Sequence, residues 1–152
     1  MASSNPTHRQ RRIQEQVAKA DKARPKKKPK QAMQGGARTF PAPPFPRQHQ
    51  SKPGSESDLD PPPMYDAPFY LGSRKLDKKA ALVTGGDSGI GRSVAILFAR
   101  EGADVAVAYL NEHQDARITR EKVEAEGRKC LLIKGDVSSQ KFCEKAVSQT
   151  IR

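Results

Sequence analysis

From Leu76 onward the chain alternates short apolar runs with longer segments in which apolar residues recur every three or four positions. Ala80-Ala-Leu-Val-Thr84 predicts a buried strand, and Ile90, Val94, Leu97 and Phe98 then mark one face of an amphipathic helix that stops at Gly102. Asp104 to Leu110 predicts a second strand. Gln114 to Glu126 follows as a charged helix with Ile118, Val123 and Ala125, closed by Gly127. Cys130 to Ile133 predicts a third strand, and Ser138 or Ser139 is placed to cap a last helix carrying Phe142, Ala146, Val147 and Ile151. A βαβαβα order favours right-handed crossovers and hence a parallel sheet. The expected fold class is α/β, and residues 76–152 amount to the first half of a doubly wound sheet.

Before Leu76 the pattern is lost. All twelve prolines lie at or before Pro68, and the first thirty residues carry ten Lys/Arg against two acids, which places most of the chain's +11 charge there. Residues 1–35 read as a basic, disordered tail in which Thr7 to Arg24 forms a helix only transiently. The clusters His8-Arg-Gln-Arg-Arg12 and Lys26-Lys-Lys-Pro-Lys30 fit a solvated tail, a nuclear address or a nucleic-acid patch. With no interleaved aromatics or binding fold, no specific nucleic-acid partner is expected, and any such affinity should be non-specific and salt-sensitive. Residues 36–75 read as an extended arm, because proline fixes φ and removes a donor. The arm holds Phe40, Phe45, Tyr65, Phe69 and Tyr70, five of the chain's eight aromatics. Those rings suggest packing on a surface, the chain's own or a neighbouring subunit's. The other reading is a ligand for a proline-recognising module.

No apolar run reaches the eighteen or more residues of a membrane span, and no hydrophobic segment follows the basic N-terminus as a secretory signal would require. Cys130 and Cys143 have neither disulfide-framework nor metal-ligand spacing and read as buried, reduced thiols. A cytoplasmic location without membrane partners is the resulting expectation.

The candidate chemistry sits where the first strand meets the first helix. Thr84-Gly85-x-x-x-Gly89-x-Gly91 delivers a side-chain-poor turn into a helix N-terminus, whose N–H groups and dipole suit a pyrophosphate. This spacing, with Asp136-Val137 after the third strand, resembles the short-chain dehydrogenase/reductase family. Lys52-Pro-Gly-Ser-Glu56, Met64-Tyr65, Tyr70-x-Gly-Ser-x-Lys-Leu76 and Gly85-Gly-Asp-Ser-Gly-Ile-Gly-Arg92 resemble its glucose/ribitol dehydrogenase-type subgroup, whose members carry an arm ahead of the first strand.

The resemblance implies a Rossmann-type fold that binds NAD or NADP. Gly85 would allow the tight turn, Gly89 the approach of backbone to pyrophosphate, and Gly91 close helix packing. Asp87, Ser88 and Ile90 would contact the cofactor, Asp136 would accept from the adenine amino group, and Val137 would pack on the ring. A plain turn-capping role for Asp136 stays open. At the end of the second strand, where the family often has Asp, stands Tyr109, and Leu110 takes the place often basic in NADP users. Asn111 and Glu112 are the candidate ribose partners, Glu112 only if its loop curls back, and Arg92 is a candidate for either cofactor. The balance favours NAD.

Hydride transfer in this family uses a Tyr-x-x-x-Lys pair with a serine and an asparagine. The residues four after Tyr65, Tyr70 and Tyr109 are Phe69, Arg74 and His113, so no such pair occurs, and His113 is assigned no role. No catalytic or metal-binding residue is assigned. The chain is expected to be the cofactor-binding portion of an oxidoreductase acting on an alcohol or carbonyl substrate, cut before its catalytic half, inactive alone and homo-oligomeric when complete. The alternative is a non-catalytic nucleotide-binding or interaction protein that docks through the arm and tail.

Overall fold

The structure, a computed structural model, describes residues 12–17, 19, 40–41, 43–51 and 54–151. They fall into two units, Met1–Pro62 and Pro63–Arg152. In the first, residues 12–17 are helical, and the rest of the reading for the basic tail lies outside the described residues. The Gln48 amide closes a loop on the backbone of Asp60, donating through Nε2 to its carbonyl (2.6 Å) and accepting its N–H at Oε1 (3.0 Å). A 3-10 turn occupies Glu56–Asp58. The arm expected over 36–75 is thus divided, its last residues, from Pro63, belonging to the second unit.

The second unit holds β1 (Ala80–Thr84), α1 (Gly89–Arg100), β2 (Asp104–Tyr109), α2 (His113–Ala125), β3 (Cys130–Lys134) and α3 (Gln140–Thr150). The strands form a parallel sheet in the order β1-β2-β3, with Ala80 opposite Asp104 and Val105 opposite Cys130. β2 is central and buried from Val105 to Tyr109. Its side chains alternate between two layers, as strand geometry requires. Val105 and Val107 join Val83, Ala95, Ala99 and Val123 in one core, with Val94, Cys130 and Leu132 packed against it. Ala106, on the other face, meets Ile133 and Ala146, with Leu82 and Phe142 alongside. Helices α1 and α2 therefore cover one face and α3 the other, which is the doubly wound arrangement.

Strand positions follow the apolar runs, and Val94, Val123, Phe142 and Ala146 of the expected helix faces pack inward, but other positions on α1 and α2 differ. The residues that α1 buries are Arg92, Ala95, Ile96 and Ala99, whereas Ile90 is 85% exposed and Phe98 lies at the surface. In α2 they are Asp115, Ala116, Thr119 and Val123, and Ala125 is exposed. Alanines 95, 99 and 116 share the inward faces with Ile96 and Val123, the larger apolar residues that are fully buried there. Cys143 is exposed rather than buried, its thiol donating to the Val137 carbonyl at 3.2 Å. Cys130 packs against the core, and burial pushes its thiol up to about 12. Ser139 caps α3 by accepting from the Phe142 N–H.

The last part of the arm is fastened to the C-terminal end of α1. Glu101, at the negative end of the helix dipole, would be unfavourably placed alone. Its carboxylate instead accepts from the Tyr70 hydroxyl, the Ser73 N–H (3.0 Å), the Lys75 N–H (3.0 Å) and the Lys75 ammonium (3.1 Å). Its carbonyl accepts from the Leu76 N–H at 2.9 Å. Gly72 crosses Arg100 so closely that a Cβ there would stand 2.0 Å from the Arg100 carbonyl oxygen. Arg100 itself donates to the Ala67 carbonyl (2.6 Å), to Asp66 (3.0 Å) and to Glu126 (2.6 Å). The stretch Tyr70-x-Gly-Ser-x-Lys-Leu76 thus has a physical reading as a clamp around Glu101.

Two outcomes follow from this packing. Ile96→Ala should cost about 2–5 kcal/mol in denaturant unfolding, since Ile96 is 1% exposed, while Ile90→Ala should stay within about 0.5 kcal/mol. Tyr70, with the Lys75 and Ser73 donors, holds the Glu101 carboxyl down at about 2 against an ordinary 4.5. A depressed carboxylate stabilises the docked arm above the ordinary value and loses that contribution as pH falls toward the folded value. Amide exchange at Ser73 and Lys75 should therefore accelerate as pH drops through that window, after correction for intrinsic exchange, and Glu101→Gln should accelerate it at neutral pH.

Candidate functional site

All three strands run the same way, so the loops after β1, β2 and β3 gather along one edge of the sheet. These loops carry Gly85–Ser88, Asn111–Glu112 and Asp136–Val137. In a doubly wound sheet this edge is where ligands bind.

The first loop is built around backbone rather than side chains. Gly85 and Gly89 have φ of +64° and +52°, in the left-handed region, and a Cβ at either would meet nothing within 4 Å. Their bare backbone therefore faces open space. Gly91 is the opposite case: a Cβ there would lie 2.0 Å from the Gly85 carbonyl oxygen, so only glycine lets α1 start this close to the end of β1. Ser88 precedes α1 with extended backbone and no side-chain cap on the helix. Its hydroxyl donates instead to the Asp87 carboxylate at 3.3 Å. Ile90, far from lining the core, projects from the first turn of α1 into solvent.

Beneath the loop lies Arg92, 2% exposed. Its Nε and Nη2 donate to the Asp87 carbonyl at 3.1 and 2.7 Å, and Nε also donates to Thr119 Oγ1 at 3.0 Å. The Thr119 hydroxyl donates to the same Asp87 carbonyl at 2.9 Å. Asp115 supplies the countercharge, with Oδ1 3.5 Å from Nη2. Arg92 is thus a support inside the structure and not a residue turned toward a cofactor, which corrects the expectation that it could serve either one. Thr119, Asp115 and Gly86 were missed from the sequence. Gly86 is buried over Val83 and Val107, where a Cβ would come within 3.1 Å of Val107 Cγ1. The signal for Arg92 was its place at i+3 from Gly89, on the inward side of the first helical turn.

In the second loop Tyr109 is buried and its hydroxyl shares a 2.6 Å hydrogen bond with His113 Nδ1, giving that histidine a structural contact. Asn111 is exposed, and its N–H donates to Glu112 Oε2 at 3.2 Å. The Asp87 carboxyl is raised from its ordinary value by burial first, with the charge of Glu112 adding to the effect. Glu112 therefore acts electrostatically on the turn after β1. In the third loop Asp136 Oδ1 accepts from the Ser138 N–H at 2.8 Å and its carbonyl from the Ser139 N–H at 3.0 Å, a local turn that leads into α3. Val137 is 54% exposed beside it. Gly135 precedes this turn where a Cβ would run into the Phe142 ring at 2.1 Å.

Residues 79–152 match the family model of short chain dehydrogenases, and this part of the chain belongs to the short-chain dehydrogenase/reductase family. Among curated relatives it is similar to General stress protein 39 of Bacillus subtilis, 53% identical over 71% of this chain and 38% of that protein. It is similar also to Glucose and ribitol dehydrogenase of Daucus carota, 38% identical over 70% of this chain and 38% of that protein. A solved short chain dehydrogenase from Burkholderia cenocepacia J2315, in complex with NADP, is 37% identical over 50% of this chain and 31% of its own, with a TM-score of 0.49. The chain spans about 38% of the length of these two curated relatives. Among the described residues, no helix is long and apolar enough to cross a membrane.

The Asp87 carboxyl makes the stability of this turn depend on pH. Its folded pKa is raised by burial, so its contribution is present when it is protonated, below the ordinary 3.8, and is lost as pH rises through the folded value. Asp87→Asn should accordingly raise the thermal midpoint at neutral pH and leave it nearly unchanged at about pH 3.

Proposed function

We propose that the chain binds a nicotinamide dinucleotide along the C-terminal edge of its sheet, as the cofactor-binding part of a short-chain oxidoreductase. The observation that carries this reading is the pair of left-handed glycines, Gly85 and Gly89, whose missing Cβ atoms leave open backbone beside the N-terminus of α1. A pyrophosphate fits that surface: it needs N–H donors, the positive end of a helix dipole and no side chains in the way. Gly85, Asp87, Ser88, Gly89, Ile90 and Gly91 would hold the pyrophosphate end. Asp136 and Val137 are offered for the adenine, and Asn111 and Glu112 for the adenine ribose. The Asp136 Oδ1 accepts from the Ser138 N–H, and a carboxylate has further acceptor capacity for the adenine amino group.

NAD is the cofactor favoured by local charge. Glu112, offered for the adenine ribose, would accept from ribose hydroxyls but would meet a 2′-phosphate there as a like charge. Bound, the nicotinamide would supply hydride transfer to or from an alcohol or carbonyl substrate. The residues of this chain would bind and orient the dinucleotide. The sequence has no Tyr-x-x-x-Lys, so the proton transfer that accompanies hydride transfer has no assigned residue here. A soluble setting and self-association through a larger body are part of the same proposal.

Isothermal titration of the 152-residue chain with NADH and NADPH tests the reading. NADH should bind more tightly than NADPH, and Gly89→Val should abolish both by filling the space left for the pyrophosphate. Absence of binding by either cofactor would overturn the assignment.

A further inference from the structure

The arm reaches the phosphate turn from behind. Tyr65 lies in the arm segment of the second unit, and its ring covers the Arg92 guanidinium with 4.8 Å from the ring centroid to Cζ. We propose that Tyr65 is a positioning residue for the dinucleotide loop, acting through Arg92 on the Asp87 carbonyl and so on the direction of the Ser88 N–H. The inference rests on the cofactor reading above.

A guanidinium is a planar cation whose donors lie in its plane, so its two faces make no hydrogen bonds. In Arg92 the edge is spent on the Asp87 carbonyl, Thr119 and Asp115. With Arg92 only 2% exposed, a face also needs cover, and the negative face of an aromatic ring is a favourable partner. Tyr65 supplies that ring. The edge bonds then converge on one acceptor: two from Arg92 and one from Thr119 all end on the Asp87 carbonyl. In a trans peptide the N–H points opposite to the C=O of the same unit. Pulling the Asp87 carbonyl inward onto Arg92 therefore turns the Ser88 N–H outward, toward the open side left by Gly85 and Gly89. Donors fixed in place before a ligand arrives contribute more to affinity than donors that must be ordered on binding. Tyr65 touches no expected ligand atom, yet its ring is the cover that keeps Arg92, and hence the peptide, in this setting.

The test uses the full chain and three proteins: wild type, Tyr65→Ala and Tyr65→Phe. NMR titrations follow NADH, which engages the phosphate turn, and adenosine, which lacks the pyrophosphate. Amide exchange over residues 85–88 is followed without ligand. Tyr65→Ala should weaken NADH binding by about tenfold, the equivalent of ~1.4 kcal/mol, with adenosine binding unchanged. It should also speed exchange across residues 85–88 but not within β3, and Tyr65→Phe, which keeps the ring, should restore both readings. Equal loss of NADH and adenosine binding would mark a purely structural role and overturn the proposal, as would unchanged NADH binding. If wild type binds neither NADH nor NADPH, the function proposed above fails by itself. Exchange then decides the positioning role: selective acceleration over 85–88 supports it, and unchanged or uniform exchange overturns it.

Discussion

The buried guanidinium of Arg92 is the constraint on which the arrangement of this site depends. Withdrawing a charge from water costs several kcal/mol unless it is paired and hydrogen-bonded. Here the cost is offset only when the turn after β1, two residues of α2 and a tyrosine of the arm are all in place. Those segments are distant in sequence. A single buried cation makes their positions conditional on one another, so the turn is held by packing behind it rather than by contacts on its open side.

That open side exists because the sheet is parallel. With β1, β2 and β3 aligned, every strand delivers its following loop to the same edge, and the helices leave that edge to cover the faces. The two layers differ in how they are filled. The α1 and α2 face is rich in valine and alanine around Val107, and the α3 face brings Ala106, Ile133 and Ala146 together with the Phe142 ring. Alanines at 95 and 99 pack α1 into the core beside β1 and β2, while glycine is necessary at 91 because the turn backbone at Gly85 and Gly86 crosses there.

The clamp on Glu101 solves a related electrostatic problem at the far end of α1. A carboxylate at a helix C-terminus opposes the dipole, and the arm offsets this by bringing hydroxyl, N–H and ammonium donors to it. Next to it Arg100, whose charge suits the helix end, binds the arm through Asp66 and Ala67. One helix is therefore gripped by the arm at both ends, through Tyr65 at Arg92 and through Tyr70 to Leu76 at Glu101. In each case the arm supplies what the helix terminus lacks.

The strand and helix order, the parallel sheet and the spaced glycines were legible in the sequence by itself. Apolar runs bounded by glycines have few other ways to pack, and a turn that needs left-handed backbone and close approach must be written in glycine. A serine cap on α3, at Ser138 or Ser139, was likewise readable because a cap acts within three residues, and the structure selects Ser139. Other features were decided only by tertiary structure. Which face of α1 is inward depended on alanines and a buried arginine that hydropathy ranks as surface, so Ile96 and Ala99 are buried while Ile90 and Phe98 are not. The role of Arg92 depended on Thr119 and Asp115, far along the chain, and the meaning of Tyr65 and Tyr70 depended on where the arm met α1. Local pattern records what a residue does to its own backbone. What it does to a residue thirty positions away is recorded only in the packed chain, because a buried charge can be placed only after all of its partners are known.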